Sequence, residues 1–187
     1  MTTMNIEQIG RPNDPPIVEP KEFLLKPFEK LEVGELIKPP DINFLKWLPK
    51  VSDETGLVYQ KPRWFVIKAS DHGVPSWIMP QNSDILLHSH PHEEKGIKNA
   101  EAIPSMRDFL NCSPLSKNFI VSQNGITKYQ AVEPKTKQRL EMEIVRGRSF
   151  NKHKIQEYLQ FLEDIGAIFE VYSWKKLDDE KLATLLY

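Results

Sequence analysis

The chain has 187 residues, 40% of them apolar, enough to bury one modest core. A formal net charge of −1 offers no strongly basic face, so nucleic acid is not an expected partner. One cysteine excludes an intramolecular disulfide framework, no run approaches the roughly 20 apolar residues that span a bilayer, and Met1 to Gly10 lacks a basic-then-apolar leader; cytoplasmic residence without a membrane partner is the expectation.

Prolines 12, 15, 16, 20, 27, 39 and 40 crowd the first forty residues, which should be extended or irregular. Phe23, Leu24, Leu25 and Phe28 are too apolar for a disordered tail, so this arm is expected to lie along the domain or dock on a partner. Lys30 to Ile37 reads as the first strand. Asp41, after the Pro39-Pro40 pair, is placed to cap a helix running to Leu48. Next comes Ser52-Asp53-Glu54-Thr55-Gly56, where an acid precedes a glycine and an apolar run. His72, in Asp71-His72-Gly73, reads as a turn residue.

Asp84-Ile85-Leu86-Leu87 reads as a buried strand that delivers His88-Ser89-His90-Pro91 to a surface. Alternate side chains on a strand share a face, so His88 and His90 project together while Ser89 points away. Pro91 has no amide donor and should end the ladder as the second imidazole emerges. The charged segment His92 to Pro104 suggests a loop over the site. Pro104 to Leu110 reads as a short helix with Ser105 and Asp108 on one face and Met106, Phe109 and Leu110 inward. The lone Cys112 beside its end is of the packed, inert kind.

Asn118 to Gln123 and Ile126 to Val132 read as a hairpin, with Asn124-Gly125 supplying the positive φ angles of a tight turn. Arg146, Arg148, Lys152, His153 and Lys154 form a basic cluster that reads as a solvated face. Ile155, Tyr158, Leu159, Leu162 and Ile165 recur at helical spacing, with Gly166 as the stop. A strand from Ala167 to Trp174 and a short helix from Asp178 to Leu186 should follow.

Three histidines of the chain's five fall between positions 88 and 92. Two imidazoles, one carboxylate and an open fourth position make the ligand set of a catalytic zinc, whereas a closed structural site needs more thiolates than this chain has. His88, His90 and Asp108 are the candidate ligands, and Glu54 is the candidate general base. Taken alone, Ser-x-x-Asp is a common helix start and Glu54 an ordinary turn acid; their joint occurrence with the histidine pair carries the reading.

The order Glu54, then His88-Ser89-His90-Pro91, then Ser105-Met106-Arg107-Asp108 resembles the signature of the JAMM (Jab/MPN-domain) metalloenzymes over roughly residues 30 to 135. Leu57 stands where some members carry a second glycine, and a second register of the motif would choose Asp53 instead of Glu54. The resemblance implies an α/β (α+β) fold, a mixed central sheet flanked by helices, with Arg63 to Ser70 as a strand. It further implies Zn2+ on His88, His90 and Asp108, Glu54 as base, and Ser105 as hydrogen-bond donor to the oxyanion. The implied reaction is hydrolysis of a peptide or isopeptide bond in a protein substrate, a ubiquitin-like protein among the options. A non-catalytic scaffold or a ubiquitin-like-binding module on the same fold is the alternative. Domain organisation follows as an arm over 1–29, the metalloenzyme-like domain over 30–135, and a C-terminal α/β extension over 136–187. That extension packs on the domain or, like the arm, serves a complex partner.

Overall fold

A computed structural model describes residues 17–18, 31–50, 54–69, 83–90, 102–146 and 155–187. Asp53, His72, Pro91, His92, Arg148, Lys152, His153 and Lys154 lie outside them, as do residues 92–101 of the expected loop and all of the arm except 17–18.

The described chain is mixed α/β, built on one eight-stranded sheet. Its strands in chain order are β1 (Ile17–Val18), β2 (Leu31–Leu36), β3 (Thr55–Gln60), β4 (Arg63–Ala69), β5 (Ile85–Ser89), β6 (Lys117–Val121), β7 (Gly125–Tyr129) and β8 (Phe169–Ser173). Across the sheet they run β1-β2-β4-β3-β5-β6-β7-β8. All neighbours are antiparallel except β5 and β6. Parallel strands need a crossover, and the helix α2 (Met106–Asn111) lies in the connection between these two. The chain therefore leaves the end of β5 at His90 and returns through Asp108.

Strand alternation sorts the core into two layers. Ile85, Leu87, Phe119, Val121 and Ile126 face one side, against α1 (Ile42–Trp47) and α5 (Asp179–Leu186). On the other side Ile120 and Tyr129 meet α2, α3 (Pro134–Val145) and α4 (Ile155–Asp164) through Phe109, Leu140, Tyr158 and Leu162. Each such side chain removed from water contributes roughly 1.5–3 kcal/mol. His88 takes the second face, since it follows Leu87 and pairs with Ile120 across the parallel ladder.

Local chemistry explains the element ends. Asp41 accepts a hydrogen bond from the Phe44 amide at 2.9 Å, capping α1 as its sequence suggests. Gly166 sits at φ 69°, the left-handed position that closes α4, with the Ala167 amide bonded to the Leu162 carbonyl at 2.9 Å.

Two sequence expectations are corrected. The β6–β7 hairpin forms, but Gly125 is not a positive-φ turn residue: it begins β7, and a Cβ there would collide with the backbone carbonyl of Tyr172 on β8. Its glycine answers to close strand approach. The helix α3 also has no counterpart among the expected elements, because only Leu140 and Glu143 of it are buried and no apolar stripe marks it.

Candidate metal centre

Sheet register brings the first candidates together. β3 and β5 are antiparallel with Gly56 opposite His88, so Glu54, two residues earlier, stands at the level of His90 where the ladder ends. The Thr55 amide donates to Ser89 Oγ at 2.9 Å, and the His90 amide donates to the Val121 carbonyl at 2.8 Å. Ser89 thus points away from the histidines and ties the strand end on one side, while β6 ties it on the other. Both imidazoles then share a face, with Nε2 atoms 3.2 Å apart.

Asp108 reaches them from the third residue of α2. Ser105 is the N-cap: its Oγ accepts from the Asp108 amide at 3.2 Å, and its own amide donates to Asp108 Oδ2 at 2.6 Å. This reciprocal capping box fixes the rotamer of Asp108. Asp108 Oδ1 lies 3.2 Å from His88 Nε2, and Oδ2 lies 3.6 Å from His90 Nε2. Glu54 Oε1 is 3.7 Å from the same His88 nitrogen. Ser105 itself is exposed and joins the cluster through Asp108.

β7 and the C-terminal segment together hold this helix in place. Tyr158 on α4 donates to the Pro104 carbonyl at 2.7 Å, just before the cap, and Thr127 Oγ1 donates to the Ala102 carbonyl at 2.6 Å. Phe109 packs edge-on to Tyr129, whose ring in turn meets His88 edge-on. Sequence reasoning passed over Tyr129, Thr127 and Tyr158 as site residues, and no local pattern marks them. Their role comes from contacts made across the fold.

Charge in this buried cluster is strongly coupled. Burial disfavours the His88 cation, but Asp108 and then Glu54 outweigh it and raise the pKa above its usual value. Burial alone would raise Asp108 as well; His88 and His90 beside it, with the Ser105 hydrogen bond, hold its carboxyl far below the usual range. Glu54 goes the other way. Burial pushes it up to about 7, with His88 opposing and Asp108 adding to the rise. Burial chiefly pushes the Cys112 thiol up to about 12.

Glu54, His88 and His90 can hold a metal ion, since their ligand atoms lie within 4.8 Å of one another. Asp108 approaches His88 more closely than Glu54 does, at 3.2 Å against 3.7 Å. Bonds of 2.0–2.1 Å in a tetrahedron separate the donors by about 3.4 Å. The His88–His90 spacing and that from His88 Nε2 to Asp108 Oδ1, both 3.2 Å, match that edge, while His90 Nε2 is 3.6 Å from the other carboxylate oxygen, Oδ2. Against known proteins, the chain matches no family model, no curated protein and no solved structure. Any functional reading rests on these side chains.

Proposed function

We propose that the chain is a zinc-dependent hydrolase of the JAMM type that cleaves a peptide or isopeptide bond. The observation that carries this reading is the convergence of two imidazole Nε2 atoms and the Asp108 carboxylate within 3.2–3.6 Å of one another, with a fourth, protonatable acid beside them. Nitrogen, nitrogen and oxygen donors suit zinc among the common divalent ions.

Division of labour between the carboxylates follows from their environments. Asp108, ionised and locked by the capping box, is suited to be the third ligand beside His88 and His90. Glu54, held near pH 7, exchanges a proton readily at neutral pH and is suited to be the base. When bound, zinc supplies a Lewis acid and lowers the pKa of water to about 7. Glu54 then takes the proton of the attacking water and delivers it to the departing amine. The Ser105 hydroxyl is assigned as donor to the oxyanion, a contact worth about 3 kcal/mol. The substrate class is a protein or peptide, with a lysine isopeptide to a ubiquitin-like protein the first to assay.

Metal analysis of the purified chain, paired with hydrolysis of a fluorogenic isopeptide substrate, tests the reading. Stoichiometric zinc is expected, lost in His88→Ala. Glu54→Gln should keep the zinc and lose about 10²–10⁴-fold in rate. A native chain without zinc, or a Glu54→Gln variant as active as the parent, would reject the hydrolase; zinc without hydrolysis in the parent favours the scaffold.

A further inference from the structure

On the sheet face opposite His88, a groove of about 690 Å³ runs between β6, β7, β8 and α5. Four lysines line it, Lys117, Lys128, Lys176 and Lys181, against one carboxylate, Glu170. Lys117 is held by the Leu186 and Tyr187 carbonyls at the end of α5, and Lys181 by Asp178. Lys128 and Lys176 make no ion pair among the described residues.

The groove reaches the last strand of the described sheet. Four consecutive residues of β8, from Glu170 to Ser173, line it. Successive strand residues point to opposite faces, so Glu170 and Tyr172 stand on the face of Lys128, while Val171 and Ser173 bring their backbone to the groove. β8 is the outermost strand of the described sheet on this side. Bonds from the Gln130 amide to the Ile168 carbonyl and from the Trp174 amide to the Asn124 carbonyl set the ladder phase. Even-numbered residues of β8 therefore bond to β7, and the amides of Phe169, Val171 and Ser173 point outward. Open edges are usually guarded by lysine or proline on the strand itself. β8 carries neither, and its Val171 is 47% exposed. The lysines stand beside the strand, lining a channel along it.

We propose that β8 accepts an extended acidic segment of a partner protein as an added strand, its backbone on the outward amides and its carboxylates on Lys128 and Lys176. Strand addition draws affinity from main-chain hydrogen bonds and specificity from flanking side chains, here four ammonium groups. This site is independent of the metal centre, from which the sheet separates it.

Fluorescence anisotropy of a labelled peptide of about ten residues, alternating glutamate and valine, tests this on the full chain. The peptide should bind, and a lysine-valine counterpart should not. The double variant Lys128→Glu/Lys176→Glu should weaken binding at least about tenfold. Val171→Pro removes one outward amide at a position where an edge strand tolerates proline, and should weaken it about tenfold as well. Circular dichroism melting checks that both variants fold. No binding by the parent chain would overturn the proposal. So would loss in the lysine variant alone, which marks a plain anion site that tripolyphosphate should then fill equally well, or loss in neither variant.

Discussion

Glu54 and Asp108 flank the same imidazole nitrogen, yet their protons are held in opposite ways. Between pH 5 and 8 Asp108 is ionised whether the chain is folded or not, so its depressed pKa adds stability that is lost only at much lower pH. Glu54 and His88 are both raised, so they bind protons more tightly folded than unfolded. Their contribution is complete at low pH and disappears as pH rises, for Glu54 through about 7. Metal-free protein should therefore lose thermal stability from pH 5.5 to 8, and Glu54→Gln should flatten that slope. Zinc must displace the His88 proton, so the rise in melting temperature on adding zinc should be larger at pH 7.5 than at pH 5.5. Differential scanning fluorimetry with and without zinc at the two pH values checks both signs; an increment that shrinks with pH would contradict the proposed ligand set.

The capping box of α2 links an element's stability to the centre. Ser105→Ala removes the side-chain cap and should cost about 1 kcal/mol in urea unfolding. The main-chain amide of residue 105 still holds Asp108 Oδ2, so zinc affinity should change little, read by competition with a chromogenic chelator. Asp108→Asn, by contrast, should lose the metal outright. At the hairpin, Gly125→Ala forces a Cβ against the Tyr172 carbonyl and should destabilise by about 1–3 kcal/mol, where a turn-only glycine would leave β8 undisturbed. Hydrogen exchange confined to β7 and β8 would locate the damage. Elements with strong local signals were legible: the Asp41 cap, the Gly166 stop and the His-x-His strand all read from a few adjacent residues. α3 was not, because its burial rests on Leu140 alone among apolar groups.

Across the molecule, one sheet joins segments that the sequence divides into arm, domain and extension. β1 pairs with β2, and β8 pairs with β7 over the whole of its length. Residues beyond 135 furnish much of both core layers, including Leu140, Tyr158, Phe161 and Leu162 on one face and Trp174, Leu182 and Leu186 on the other. Trp174 also donates to the Ser122 carbonyl at 3.0 Å at the hairpin end. A fragment of residues 30–135 should therefore show no cooperative thermal transition by circular dichroism. A cooperative melt would mark 136–187 as a separate extension after all.

By itself the sequence determined the strand that carries His88 and leads into His90, the helix that carries Asp108 and the chemistry of a nitrogen-and-oxygen donor set, since each depends on neighbours a few positions apart. Tertiary structure alone decided that Glu54 ends opposite His90, that Tyr158 and Thr127 anchor the approach to Asp108, and that Gly125 serves the β7–β8 contact. Such pairings depend on strand register and packing between distant segments, and a linear pattern holds no record of which distant residue will stand opposite.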